Sequence, residues 1–522
     1  MNKPSNLEQK VKDLFQESLE LTDGQPELSD FHTILKQSYD RLCQPMRVAI
    51  VGVIKAGKST LINALIGEEI VATGRVEATF NINWLKYATK PHLKVHFKTG
   101  KPPETKSFEE LAALTLRPEE HQEYLLSIKY IEVFYPHDLL KIFNIIDTPG
   151  LKSSYKIDSE TTKDFLRLHG KEITQITQRE ASSADAVLYL FSRPPSAADQ
   201  KVVEQFQGPM LGDTTPLNAI GVLTQVDRYW ATQTPDPIAL GNKLSHKWAE
   251  HPAIRQRLYT IYPVCGLLAA GAQTLTEKQF MALNELAKLP EERLEKLLRN
   301  VKRFGREHND IIVPGVERTE LVNQLGQYGV WLACKYIRAG CHEQKLLVQD
   351  LIKHTGIEQL RHLLLSHFGH RAFLIKLGTA LKKISVAYFQ SRHLLEDKPL
   401  AILENIAGKF DTLKSKEHAF QELDVLKNYY SQKLNFDDQE QQQLLEVTGE
   451  YGTSLGERLG LNARATVVEM QPLARERVNY WKRRANNRMV SDRATLAAAK
   501  VLARSYERIW YRVQKAQEYL SI

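Results

Sequence analysis

One short run constrains this chain more than any other. GVIKAGKST, at positions 52 to 60, fits GxxxxGK[ST] and follows the apolar stretch Val48 to Val51. An apolar strand, a glycine-rich turn and then a helix opening at Thr60 form the context in which this pattern cradles phosphate groups. Gly52 and Gly57 let backbone N–H groups approach an anion closely. The Lys58 ammonium would reach the β- and γ-phosphates, the Ser59 hydroxyl would ligate Mg²⁺, and Ala56, Gly57 and Thr60 would add backbone contacts. A strand feeding such a loop demands a largely parallel sheet with helices on both faces.

The rest of the first half fits that demand. Candidate strands are Arg47–Gly52, Ile82–Tyr87, Lys94–Phe97, Lys129–Tyr135, Lys141–Ile146, Ala186–Phe191, Ala219–Leu223 and Leu258–Tyr262. Helical stretches separate most of them, so the expected class is α/β followed by all-α. After about Leu267 the strand signals stop, and Leu374, Leu377, Leu381, Ile384 and Tyr388 follow the alternating three-and-four spacing of a helix-packing seam. With 522 residues the chain exceeds what one hydrophobic core usually supports. The expected division is 1–45, N-terminal helices; 46–270, the phosphate-loop domain; 271–460, a helical stalk; and 461–522, a basic helical arm. Gly449, Gly452, Gly456 and Gly460 mark either a loop or a hinge.

Further motifs narrow the chemistry. Asp147-Thr148-Pro149-Gly150 follows a strand, so Asp147 would hold Mg²⁺ through water and the Gly150 N–H would sense the γ-phosphate. Thr79, on the segment between the motifs, is the candidate for a second Mg²⁺ hydroxyl ligand, with Thr73 as its local competitor. Thr224-Gln225-Val226-Asp227 follows another strand. An Asp there accepts two hydrogen bonds from the guanine edge, which adenine cannot supply; a Lys is usual where Gln225 stands. Cys265 occupies the place of the last base-contacting loop by position alone. GTP is therefore the expected substrate, hydrolysed to GDP and phosphate with Mg²⁺, and Lys58, Thr79 and Gly150 are the expected catalytic set with Lys55.

Composition excludes several classes. The four cysteines, Cys43, Cys265, Cys334 and Cys341, form neither a disulfide framework nor paired metal ligands, which suits a reducing compartment. Cys334 and Cys341 read as buried helix positions. No stretch approaches the roughly 18 apolar residues of a membrane span, so the cytoplasm is the expected location. The net charge of +8 is carried by residues 461–522, which hold 13 Lys/Arg against 5 Asp/Glu. Lys500, Arg504, Arg508 and Arg512 repeat every four residues, and Lys482, Arg483, Arg484 and Arg488 form a second cluster. Such a face is either solvated or attracted to anionic lipid. Nucleic acid is disfavoured because no recognition motif accompanies the charge.

GVIKAGKSTLINALIG, TGRVEATFNINWLKY, NIIDTPGL and AVLYLFSRPPSAADQKVVEQF together resemble the bacterial dynamin-like GTPases, and the later segments look like the isoniazid-inducible type of mycobacteria and actinobacteria. The resemblance implies a GTPase head beside a helical neck, with residues Leu7–Leu21 packing against the Ala494–Leu520 helix. It implies head-to-head homodimers, higher assembly, a paired dynamin-like partner, and peripheral action at the inner face of the plasma membrane in remodelling or repair. A regulatory GTPase binding RNA or the ribosome through the basic arm, and a nucleotide-gated scaffold, are the alternatives. Lys55 stands where classical dynamins have a Ser that helps hold a monovalent cation, and where guanylate-binding proteins carry an arginine finger. Its ammonium is either a built-in replacement for that cation or a solvated charge.

Overall fold

The computed structural model describes residues 6–53, 55–71, 82–115, 124, 127–148, 184–193, 216–230, 234–487 and 492–520. The chain divides into two units. One comprises Met46–Gly208 and Asn218–Leu364; the other comprises Met1–Pro45, Pro209–Leu217 and Leu365–Ile522.

The first unit is built on a nine-stranded sheet: β1 (Met46–Gly52), β2 (Asn83–Tyr87), β3 (His92–Phe97), β4 (Glu104–Lys106), β5 (Ile128–Tyr135), β6 (Phe143–Asp147), β7 (Ala186–Phe191), β8 (Ala219–Thr224) and β9 (Ile261–Val264). Their order is β4-β3-β5-β2-β6-β1-β7-β8-β9. β6, β1, β7, β8 and β9 run parallel. β2 joins β6 antiparallel, and β3 and β4 continue an antiparallel edge. Every residue of β7 and β8 is buried, as parallel strands covered on both faces must be. The chain leaves β1 toward β6 on one side and reaches β7 on the other, so a topological switch point lies at the C-terminal end of β1. Ligands of open α/β sheets bind at such a point.

Most strand ends shift by a few residues from the sequence reading, and three differences have an identifiable local cause. β6 begins only at Phe143, because Asp138–Ile142 forms a short helix whose first turn is capped by His137 Nδ1 accepting the Leu139 N–H at 3.2 Å. β9 extends to Val264 through Pro263; this is the sheet edge, where a residue lacking an N–H is tolerated. β4, the three-residue Glu-Thr-Lys edge, has no apolar alternation to announce it.

Helices after β9 remain part of this unit through Leu364. Gly315–Arg338 packs across Gly266–Gln273 and Glu277–Ala287. Cys334 is buried in it, whereas Cys341 lies beyond its end and is half-buried, because the helix stops at Arg338 and Gly340 turns with φ +100°. Arg361 donates to the Ala64 and Leu65 carbonyls at 2.8 and 2.9 Å, satisfying the last turn of the helix Lys58–Ile66.

The second unit holds two helical cores. In one, Val11 and Phe15 of the helix Asn6–Thr22 pack with Phe31 and Leu35 of Ser29–Cys43, Leu377 and Ile384 of Ala372–Ser391, and Phe410 of Asp397–Lys416. Lys376, buried, caps Ser29–Cys43 by donating to the Leu42 and Gln44 carbonyls at 2.7 and 2.6 Å. In the other, Trp481 of Val467–Asn486 packs with Leu502, Tyr506, Ile509 and Val513 of Arg493–Leu520. The N-terminal helix therefore buries its seam against Asp397–Lys416, not against the C-terminal helix as the sequence suggested. Phe15 meets Phe410 edge-on at 4.9 Å, and Lys10 pairs with Glu417 at 2.9 Å. The C-terminal helix has its own antiparallel partner in Val467–Asn486, so its apolar side is already occupied. The glycine cluster is a packed loop: Gly449, Gly452 and Gly460 all have positive φ, and a Cβ on Gly460 would lie 2.7 Å from the Glu446 carboxylate. Among the described residues, no helix is long and apolar enough to cross a membrane.

Two glycines with similar backbones separate conformational cost from steric cost. Gly24 (φ +66°) faces open space, whereas a Cβ on Gly356 (φ +73°) would stand 2.4 Å from the Pro263 carbonyl oxygen. Gly24→Ala should cost about 1 kcal/mol, and Gly356→Ala at least about 3 kcal/mol because backbone must also move. Urea unfolding of both variants beside the wild type measures the difference.

Candidate nucleotide site

The loop leaving β1 is shaped by close packing as well as by flexibility. A Cβ on Gly52 would lie 3.0 Å from Leu190, so β1 can approach β7 only with glycine there. Lys55 and Gly57 both take left-handed backbones, with φ +64° and +86°, and the helix Lys58–Ile66 begins directly afterwards. Such a turn presents successive N–H groups to one point, a concavity suited to an anion.

Lys58 is buried, and its Nζ donates to the Gly52 and Val53 carbonyls at 3.4 and 3.5 Å. These long bonds are ones that phosphate oxygens could replace. Burial lowers its pKa, and Asp147 opposes that shift. Asp147 ends β6, the neighbour of β1, and has no exposed surface. Burial pushes its carboxyl up to about 6, against the opposing influence of Lys58 and Asn83. Neither carboxylate oxygen has a hydrogen bond among the described residues. An orphaned buried carboxylate beside a phosphate loop and the half-buried Ser59 is a donor set that suits a hydrated Mg²⁺. Next to it, Thr148 donates to the Ile50 carbonyl at 2.7 Å and fastens this motif to β1.

The Thr224–Asp227 segment is tied to the loop after β1 by two hydrogen bonds. Thr224 Oγ1 donates to the Ala56 carbonyl at 2.7 Å, and Gln225 Nε2 donates to the Lys55 carbonyl at 2.8 Å. Gln225 is itself left-handed at φ +58°, so two strained non-glycine residues brace one another. This gives Gln225 a positive role at the position where its amide departs from the usual Lys. Asp227 follows in a short 3₁₀ turn, Val226–Tyr229, and burial raises its pKa. Cys265 is fully buried, its N–H donates to the Thr355 carbonyl at 2.8 Å, and burial followed by the nearby Asp227 charge pushes its thiol well up. A Cβ on Gly266 would lie 3.7 Å from Thr60 Cγ2, which places that loop beside the phosphate-loop helix.

The structure thus gathers Gly52, Lys55, Ala56, Gly57, Lys58, Ser59, Thr60, Asp147, Thr224, Gln225, Asp227 and Cys265 around the C-terminal ends of β1, β6, β8 and β9. Lys55 is exposed on the loop. Thr73, Thr79 and Gly150 lie outside the described residues. Two contributors escaped the sequence reading, Asn83 beside Asp147 and Gly326, whose Cβ would stand 3.6 Å from Asp227 Oδ2; Thr148 was named within its motif but given no role. Asn83 could have been sought from its place beside the Asp147 motif; Gly326 had no local signal.

Comparison with known proteins agrees with this geometry. The sequence model of the Dynamin family matches residues 48–226. The Isoniazid-induced protein IniC of Mycobacterium tuberculosis is 29% identical over 471 residues, covering 90% of each chain. Dynamin-like protein 2 of Campylobacter jejuni is 34% identical over 137 residues, 26% of this chain and 22% of that protein. A solved oligomerised bacterial dynamin pair aligns over 100% of this chain and 92% of its own at 13% identity, with a TM-score of 0.33, and the two do not superpose closely. The matched segment runs from β1 to Val226, within the Thr224–Asp227 turn, and this segment carries a Dynamin family domain, similar to that of bacterial dynamin-like proteins.

Proposed function

We propose that this chain binds GTP with Mg²⁺, hydrolyses it, and couples that cycle to assembly on an anionic membrane surface. The observation that carries the nucleotide reading is the buried Lys58 set against the orphaned Asp147 at the switch point of the sheet. Lys58 would hold the β- and γ-phosphates, while Ser59, Asp147 and Thr79 would hold Mg²⁺, which neutralises charge on the transferring group. Gly150 would align the γ-phosphate, and Asp227 would select guanine. Lys55 would place a fixed cation beside the phosphates. Head-to-head homodimers would complete the site, as the family resemblance implies, with the helical unit as neck and stalk.

The membrane reading is supported by the C-terminal helix. Lys500, Arg504, Arg508 and Arg512 are all exposed on one side, while Leu502, Tyr506, Ile509 and Val513 are buried on the other. Among the described residues none of these four cations forms an ion pair, unlike Lys482, which pairs with Glu507 at 2.6 Å. With Leu502, Tyr506, Ile509 and Val513 enclosed, this helix would meet lipid chiefly by charge, with the exposed Tyr511 and Tyr519 beside the cations. The location this implies is peripheral, at the inner face of the plasma membrane.

Three measurements test the proposal. Replacing Lys500, Arg504, Arg508 and Arg512 by Glu should abolish co-sedimentation with phosphatidylserine vesicles, since each cation contributes about 1 kcal/mol near such a surface. Basal turnover should persist. Unchanged sedimentation, or salt-sensitive RNA binding in place of lipid binding, would defeat the membrane reading.

Lys55→Ala should lower kcat about tenfold, equivalent to about 1.4 kcal/mol of transition-state stabilisation, with GTP affinity nearly unchanged. Lys55→Gly, which relieves the positive φ, should behave the same if the ammonium is responsible. A strict K⁺ or Na⁺ requirement in the wild type would argue against it.

Asp147 supplies the pH test. Its folded pKa lies above the ordinary carboxylate value, so the ligand-free fold binds this proton more tightly than the unfolded chain does. The stabilisation is complete below pH 4 and is lost as pH rises through about 6. Mg²⁺ needs the carboxylate, so Mg²⁺-dependent GTP binding should weaken as pH falls through the same range. Asp147→Asn should remove both dependences, leaving ligand-free protein more stable at pH 7.5 by on the order of 1–2 kcal/mol. Chemical denaturation and Mg²⁺ titration across pH 4.5–7.5 give both readouts.

A further inference from the structure

The helix Gly315–Arg338 is not continuous in its backbone. At Gly326 φ is +75° and ψ is 169°, far from helical values, so two helices abut at this residue. That combination lies in a region essentially restricted to glycine, and it persists only where the surroundings over-determine it. The surroundings here do so on both sides of the break. Just before it, Gln324 Nε2 donates to the Gly271 carbonyl at 3.0 Å. The Gln324 carbonyl oxygen would stand 2.1 Å from a Cβ on Gly271, so the two backbones are in direct contact. Just after it, Trp331 packs against Trp230 with ring centroids 5.6 Å apart, and both rings are buried. Trp230 directly follows the 3₁₀ turn that carries Asp227.

The break points at the base-recognition loops. A Cβ built on Gly326 would lie 3.6 Å from Asp227 Oδ2 and 3.6 Å from Leu267 Cδ2. Leu267 follows Cys265 and Gly266, so three segments far apart in sequence converge here: the Asp227 turn, the Cys265 loop and the Gly326 kink. A straight helix pinned at Gln324 would send its second half, with Trp331, along another line. Trp230, and the turn it closes, would then lose their backing.

We propose that Gly326 is a positioning residue for guanine recognition: its glycine-only backbone kinks the helix so that the kink walls Asp227 and Trp331 backs the Asp227 turn. This rests on the reading of Asp227 as the guanine-selecting carboxylate. The consequence reaches specificity, because a carboxylate out of line loses one of its two bonds to the guanine edge before it loses the other. Inosine diphosphate lacks the exocyclic amino group and offers Asp227 a single bond. The ratio of GDP to IDP affinity therefore reports the carboxylate's alignment, independently of how well the phosphates bind.

The test is calorimetric titration of the full chain with GDP and with IDP. Gly326→Ala should lower the GDP preference by about tenfold, the value of one hydrogen bond to a charged group. Trp331→Phe, which leaves the kink intact and shrinks its contact with Trp230, should lower it by about threefold. Gly329→Ala is the control: its Cβ would strike Leu268 Cδ1 at 2.7 Å, so it should lower stability without changing the ratio. An unchanged ratio in both Gly326→Ala and Trp331→Phe overturns the proposal. If Gly326→Ala does not fold, an unchanged ratio in Trp331→Phe does so alone. Asp227→Asn separates the two readings. If it leaves the GDP preference intact, the Asp227 assignment fails and the proposal fails with it. If it removes the preference while the other two variants retain it, only the role of Gly326 falls.

Discussion

A buried ammonium and a buried carboxylate at the ends of adjacent parallel strands set the terms for the sheet unit. Neither Lys58 nor Asp147 is well solvated by the protein: Lys58 holds two long bonds to carbonyls, and Asp147 holds none among the described residues. Burial without matching partners is costly, and a fold retains such a pair when a ligand supplies what is missing. A triphosphate with its metal ion would do so, bringing anionic oxygens to the lysine and a cation to the aspartate. On the proposed reading, the stability and metal binding of this unit would be coupled to pH through one carboxyl group.

Around that pair the loops are held by side chains that reach across the sheet. Thr224 and Gln225 bond to consecutive carbonyls of the phosphate loop, and Thr148 bonds to β1. The left-handed backbones at Lys55 and Gln225 are tolerated because each residue secures the other. The same logic extends outward to Gly326, where a helix gives up its regular backbone beside Asp227. Strain in this unit collects where nucleotide would sit.

The helical unit follows different rules. Its two cores are closed by amphipathic helices that each find a partner within the unit, with Lys376 and Trp481 buried through specific hydrogen bonds. What remains outward on the C-terminal helix is mostly polar and charged, with Tyr511 and Tyr519 exposed among the cations. Four exposed cations on this face would attract an anionic partner, as the proposed function requires.

Much of this was legible in the sequence. An apolar strand followed by GxxxxGK[ST] specifies its own local geometry, because the glycines and the helix start lie within nine residues. The aspartates 147 and 227 were readable because one closes an apolar strand and the other stands three residues beyond the end of another. Seams were readable as seams, since spacing reports which face is buried, but not against what. Leu7–Leu21 has a helical period compatible with many partners, and only the packed cores assigned it to Phe410 and not to the C-terminal helix. The start of β6 and the edge strand β4 depended on a histidine cap and on a neighbouring strand, neither of which has an apolar period. Motif residues and amphipathic faces were determined by the sequence itself, because they follow from covalent spacing. The bonding of Gln225 to Lys55, the burial of Asp147 beside Lys58 and Asn83 and the approach of Gly326 to Asp227 were decided by tertiary structure alone, because each joins residues whose separation along the chain carries no information about their separation in space.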